Sequence, residues 1–360
     1  MGNKANTLNV VVLGAGSIGC YLAGCILANY SASNNKKGVT GGPNTGLSLT
    51  LIGRPRLQND IVCSGLTLTD WQGRSEKVPS NAINFTCDYD GLASADFIFL
   101  CVKSQDTHSA AKIIKAHAKS DAVVISFQNG VANGDILASQ LTQPIIKGMV
   151  PFNVFYQGKG HFHCGTEGHL AIEDPLSVCA PVVQLFEDAR LPVTVYSDIS
   201  GVQYGKLIMN LNNAVNALSG IPLKQQLGDR SYRLVMAQVL KEALLVFKAE
   251  GIEPARTGKV IPKLMPTIMR LPNFLFSIVA ASTLKIDPQA RSSMYEDLQL
   301  GRTTEIDFLN GEIVRLGEKN KIPTPVNSNI VALIKQAQGT NSRSPMLAAS
   351  QLVVTPTNYK

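Results

Sequence analysis

LNVVVLGAGSIGCYLAGCILA, residues 8–28, decides how the first half of the chain folds. Leu8 to Leu13 form a short, Val-rich apolar run, the pattern of a parallel strand covered on both faces. Gly14, Gly16 and Gly19 follow as G-x-G-x-x-G, and a helix-like apolar stretch continues from there. Each glycine has a separate task. Gly14 makes the turn, Gly16 lets the backbone approach a pyrophosphate, and Gly19 allows close helix–strand packing. The free N–H groups at the helix start, on Ser17 and Ile18, are placed to bind phosphate oxygens. A strand, a tight glycine turn and a helix in this order predict a Rossmann-type dinucleotide-binding domain.

The next strand is LSLTLIGR, residues 47–54. The stretch between it and the first helix, NYSASNNKKGVTGGPNTG (29–46), is rich in Asn, Ser and Gly and reads as a surface insertion. At the end of the second strand NAD enzymes carry an acid for the ribose hydroxyls. This chain has Arg54 and then Arg56. A guanidinium there can hold a 2′-phosphate bidentately, which favours NADP (NADPH) over NAD. Two further strands, ADFIFLCVKS (95–104) and AVVISFQNG (122–130), end in polar residues. Open α/β sheets bind ligands at strand carboxyl ends, so Lys103 is a candidate phosphate contact and Asn129 a candidate ribose or amide contact.

The whole chain of 360 residues is 45% hydrophobic and 16% charged, enough apolar material for two ordinary domains. Its net charge of +7 is spread thinly, without the basic block or aromatic interleaving of a nucleic-acid surface. A polyanionic cofactor suits that charge better. Seven cysteines without a CxxC pair argue for reduced thiols in a cytoplasmic protein. No run reaches the roughly 18 apolar residues of a membrane span.

From about residue 200 the chain reads as helices. In GVQYGKLIMNLNNAVNALSG (201–220), a turn of 100° per residue puts Asn210 about 40° and Asn213 about −20° from Lys206. These three make one polar stripe, with Asn212 and Asn216 on the other side. Asn is a poor interior helix former, so four in seven residues need a reason. A substrate pocket is one; a buried network between helices is the other. SSMYEDLQLGRTTEIDFLNG (292–311) reads as two helices meeting at 301–303, with Gly301 as the break. Thr304 is the expected N-cap of the second, with Asp307 reaching back. Asp297 lies one turn beyond Ser293 on the same face, and the bend could bring Glu305 toward them.

GAGSIG, CVKS, QNG, GKLIMN and SSMYEDLQLGRTTEIDFLNG come in the order and spacing of the ketopantoate reductases (2-dehydropantoate 2-reductases), which the chain resembles over about residues 8 to 340. The resemblance implies an N-terminal Rossmann domain, 1–196, and an all-helical substrate and dimerisation domain, 197–360, in a homodimer. It implies reduction of ketopantoate to pantoate with NADPH, on the route to pantothenate and coenzyme A. Lys206 matches the catalytic lysine, Asn210 a substrate-binding asparagine, Ser293 a substrate-contacting serine and Glu305 the active-site glutamate. Arg54 and Lys103 resemble the 2′-phosphate contacts, and Asn129 the cofactor-side asparagine. Eight residues after the lysine, where the family often has a second Asn, this chain has Ala214. Asn213 or Asn216 is then the substitute. A reductase of another bulky 2-oxo acid is the alternative reading. A non-catalytic NADPH-binding regulator would be expected to lack the lysine or the glutamate, and both are present.

GKGHFHCGTEGHL (158–170) puts His161 and His163 on one face of a strand near Cys164. It offers no fourth ligand at a usual spacing, so no metal is expected. The Met and Phe residues of 264–276 read as core or dimer contacts. The tail from Ser342 reads only as a short helix and a frayed end.

Overall fold

The computed structural model describes residues 7–36, 46–256, 258, 260–281, 289–339 and 343–353. The chain divides into two compact units, Met1–Ile199 and Ser200–Lys360.

The first unit holds β1 (Leu8–Leu13), β2 (Leu47–Ile52), β3 (Leu66–Asp70), β4 (Ser75–Val78), β5 (Asn84–Thr86) and β6 (Phe97–Leu100). It continues with β7 (Val123–Ser126), β8 (Ile145–Met149), β9 (Val154–Gly158), β10 (His161–Cys164), β11 (Leu170–Glu173) and β12 (Val193–Tyr196). Its helices are α1 (Ser17–Lys36), α2 (Pro55–Ser64), α3 (Thr107–His117), α4 (Asn133–Ala138) and α5 (Ala180–Asp188). The main sheet has eight strands in the order β12-β11-β8-β7-β6-β1-β2-β5. Pairing is parallel from β5 through β8, and only β11 runs antiparallel to β8.

The apolar runs explain this topology. A strand covered on both faces must be apolar at every position. Val10 and Val12 enter one core with α1 and α5, whereas Val11 and Leu13 enter the other with α3 and α4. β1, between β6 and β2, ends at the glycine turn.

A second sheet, order β4-β3-β10-β9, was not apparent from the sequence. Its strands alternate, as a one-sided sheet must. Leu66, Leu68, Val78 and Phe162 are buried in the core shared with α1, while Thr67, Thr69, His161 and His163 occupy the other face. The expected insertion at 29–46 begins later than its composition suggested. Helix α1 runs through Lys36, and the Tyr30 hydroxyl accepts a hydrogen bond from Leu47 N at 3.1 Å. Residues 37–45 lie outside the described residues.

The second unit is helical: α6 (Ser200–Asn210), α7 (Asn212–Ser219), α8 (Leu223–Gly228), α9 (Arg230–Ala249), α10 (Met265–Arg270), α11 (Asn273–Val279), α12 (Ser293–Gln299), α13 (Asn310–Lys319), α14 (Pro325–Gly339) and α15 (Ala349–Leu352). The single helix expected at 201–220 is two, separated at Leu211. The break after α12 is present, with Gly301 at φ +61°. The capping box at Thr304 does not form an α-helix start. Thr304 Oγ1 accepts from Ile306 N at a long 3.4 Å, a 3-10 turn follows at Ile306–Phe308, and Asp307 pairs instead with Lys335 at 2.7 Å.

The segment 264–276 splits in two. Met265 and Phe276 are buried, whereas Phe274 is 65% exposed. Beneath them the fully buried Arg233 donates to Met269 O and Leu271 O (3.1 and 2.7 Å) and stacks 4.1 Å from the Phe276 ring centroid. The tail is more than a frayed end. Leu347 N donates to Leu218 O, Tyr232 Oη donates to Leu347 O, and Leu352 is fully buried. Among the described residues no helix is long and apolar enough to cross a membrane.

The glycine turn makes a testable contrast. A Cβ on Gly19 would lie 2.6 Å from Gly14 O, so Gly19→Ala should destabilise the protein by about 1–3 kcal/mol. A Cβ on Gly16 would meet nothing within 4 Å, so Gly16→Ala should leave the melting temperature unchanged. Thermal denaturation of the two variants side by side checks this.

Candidate active site

The first unit offers a cradle for a dinucleotide pyrophosphate. Gly14 has φ +103°, and a Cβ there would lie 2.5 Å from Val102 N, so the turn admits only glycine. Gly14 N and Ala15 N both donate to Ile52 O, and Gly16 N donates to Gly14 O at 2.7 Å. Those bonds fix the turn. The first intrahelical bond that reaches back to it is Cys20 N to Gly16 O, at 2.9 Å. The first N–H groups of a helix have no intrahelical acceptor, which leaves those of Ser17 and Ile18 for phosphate oxygens. Exposed Gly16 opens the approach. The three glycines thus fit the group that their spacing predicted.

The rim of this cradle is set by the sheet order. Arg54 follows β2, Lys103 follows β6 and Asn129 follows β7, all at strand carboxyl ends. Arg54 is largely exposed, with Nη2 4.0 Å from Asp106 Oδ2. Arg56, in the first turn of α2, is also exposed. Asn129 is held from below by a buried polar network. Its carbonyl accepts from Ser104 Oγ (2.7 Å) and Asn133 Nδ2 (2.5 Å). Thr107 Oγ1 lies 2.8 Å from Asn133 Oδ1 and accepts from Gln128 Nε2 at 2.8 Å. Ser104, Thr107 and Asn133 were not singled out as a group from the sequence. Three short polar side chains with less than 9% exposure beside two apolar strands were the available signal.

In the second unit the four asparagines divide by their hydrogen bonds. Asn216 is fully buried; its Oδ1 accepts from Ser292 N (2.8 Å) and its Nδ2 donates to Ile221 O and Gln226 Oε1. Gln226 Nε2 in turn donates to Asn212 Oδ1 at 2.8 Å. Ser292 caps α12, accepting from Tyr295 N, and its hydroxyl donates to Asn213 O at 2.9 Å. Asn212 and Asn216 therefore belong to a network that locks α7 to α8 and α12, as the second of the two readings required. Lys206, Asn210 and Asn213 remain as a half-buried stripe. Among the described residues the amides of Asn210 and Asn213 have no hydrogen-bond partner within the protein. Ala214 is fully buried, so that position packs in the core.

Burial pushes the Lys206 ammonium down to about 8, and the carboxylate of Glu305 pulls in the opposite direction. Glu305 is half-buried, just beyond the Gly301 break, in the turn that leads to α13. On α12, Ser293 is exposed at the first position, while Asp297, one turn on, is 7% exposed. His161 Nε2 and His163 Nδ1 each lie 2.8 Å from the Thr69 hydroxyl, and Cys164 is buried. Among the described residues no group of three or more His, Cys, Asp or Glu is placed to hold a metal.

The division of the asparagines has a measurable consequence. Asn216→Ala leaves buried partners unsatisfied and should cost about 1–3 kcal/mol of stability. Asn213→Ala should change stability by no more than about 0.5 kcal/mol. Denaturant unfolding of both variants checks the difference.

Comparison with known proteins identifies the family. Residues 10–176 match the family profile of ketopantoate reductase PanE/ApbA, and residues 198–338 match that of its C-terminal part. A 2-dehydropantoate 2-reductase of Pyrococcus horikoshii is 29% identical over 340 residues, covering 91% of this chain and 97% of that protein. One from Archaeoglobus fulgidus is 28% identical over 255 residues, covering 67% and 76%. The crystal structure of a PanE/ApbA family ketopantoate reductase from Ralstonia eutropha JMP134 is 31% identical, covers 92% of this chain and 99% of its own, and superposes with a TM-score of 0.75. A D-mandelate dehydrogenase solved with NADH shares the fold at 19% identity and a TM-score of 0.69. The chain belongs to the ketopantoate reductase (PanE/ApbA) family of oxidoreductases.

Proposed function

We propose that the protein reduces a 2-oxo acid with NADPH, and that the acid is 2-dehydropantoate, which becomes pantoate on the route to pantothenate and coenzyme A. The observation that carries the reading is Lys206, an ammonium made more acidic by burial on a half-buried stripe with two unpartnered amides. The reduced nicotinamide, when bound, supplies hydride to C2 of the acid. Ser17, Ile18, Arg54, Lys103 and Asn129 hold the dinucleotide, and Gly14, Gly16 and Gly19 give its pyrophosphate room. Lys206 Nζ gives a proton to the former carbonyl oxygen and is reprotonated from solvent. General acid catalysis of this kind contributes typically ~10²–10⁴-fold. The amides of Asn210 and Asn213 donate to substrate oxygens, and Ser293 and Asp297 complete the substrate contacts. The same reading makes the protein a cytoplasmic homodimer, consistent with seven free cysteines.

A second reading, reduction of another bulky 2-oxo acid, is favoured by Ala214. Its side chain lies in the core, so a polar contact often present in the family is missing here. Turnover of ketopantoate against other 2-oxo acids, with NADPH and NADH in parallel, decides between the two. Faster reduction of another acid would displace the first reading.

The charge on Lys206 sets the pH dependence. A lysine whose folded value lies below its unfolded one is a stability cost below about 8, relieved as pH rises from there toward the ordinary lysine value. As proton donor it must be charged, so kcat/KM should fall as pH rises through about 8. Glu305→Gln removes the carboxylate that raises the value and should move this alkaline limb to lower pH. Lys206→Met should lower turnover ~10²–10⁴-fold while NADPH still binds, which a binding titration beside the rate assay would establish.

A further inference from the structure

Arg54 follows β2 and Asp106 lies just beyond β6, and these strands flank β1 on opposite sides. Neighbouring strands are ~4.8 Å apart, so the carboxyl ends of β2 and β6 are separated by roughly twice that. The two side chains nonetheless come within 4.0 Å of each other. Their ion pair spans the carboxyl end of β1, where the glycine turn sits. Asp106 does not spend its carboxylate on capping α3, and its own N–H donates to Lys103 O at 2.9 Å. Asp106 and Lys103 therefore belong to one turn. The side chains of Arg54 and Asp106 are 86% and 48% exposed, so the pair is solvated and adds little to stability. The fold gives it no evident structural task.

We propose that Asp106 is a specificity-determining residue: its carboxylate pairs with Arg54 and must give way to a 2′-phosphate, so it limits the preference for NADPH over NADH. The proposal rests on the dinucleotide reading above, with the 2′-phosphate at Arg54. A phosphate anion meets two obstacles at this place. It competes with a carboxylate for the same guanidinium, and it is repelled by that carboxylate. NADH, with a hydroxyl at the same carbon, leaves the pair intact and meets neither. A neutral side chain at position 106 therefore helps only the phosphorylated nucleotide.

The test is calorimetric titration of the full chain with NADPH and with NADH, without substrate. Asp106→Asn should tighten NADPH about 2- to 5-fold, the range of an exposed ion pair, and change NADH less. The gain should shrink as salt is raised. In an Arg54→Met background, Asp106→Asn should give a smaller gain, because the competed guanidinium is gone. Equal shifts for the two nucleotides, or an undiminished gain in the Arg54→Met background, would overturn the role of Asp106 while leaving the dinucleotide site standing. A wild-type chain that binds neither nucleotide would remove that site and this proposal together.

Discussion

A lysine taken out of water tends to lose its charge, and a carboxylate brought near restores it. Burial of Lys206 and the attraction of Glu305 oppose each other in this way within the second unit. Lys206 sits on α6, and the next helix, α7, is locked to α12 through Asn216 and Ser292. Beyond α12, Gly301 takes a left-handed turn that few other residues adopt, and the chain reaches Glu305 four residues later. A network of neutral side chains thus fixes where a charged pair can form. Neutral hydrogen bonds suit that task, since they hold helices in register without adding a second charge that would shift the first.

The first unit solves a different problem with the same economy. A dinucleotide needs backbone N–H groups that are free yet rigidly held. Gly14 and Gly19 remove the Cβ atoms that would collide with Val102 and with Gly14 O, and Ile52 O accepts the turn's own amides. The buried cluster of Ser104, Thr107, Gln128 and Asn133 does the corresponding work under Asn129. Both units place their working groups at the edge of a stiff element and satisfy the polar atoms behind them.

What could be read from the sequence follows from how local each signal is. β1, its turn and α1 are encoded within about 20 consecutive residues, so strand, glycines and helix were legible together. The parallel strands β6 and β7 were legible because burial on both faces demands continuous apolar runs. The second sheet was not, because β3 and β10 meet across 94 residues of chain at Thr69 and His163, and neither strand is apolar throughout. The helical wheel separated Asn213 from Asn216, but it could not show that Gln226 and Ser292 are the partners that take Asn212 and Asn216. The Thr304 cap failed for a related reason. Asp307 finds Lys335, a partner on α14 that no local pattern announces.

The proposed reduction depends on an ammonium that is unusually acidic yet still charged near neutrality. NMR titration of the lysine side chains, with the Lys206 signal assigned by its loss in Lys206→Met, reads that property directly. A midpoint near 8 is the predicted result; a midpoint at the ordinary lysine value of 10.5 would contradict it.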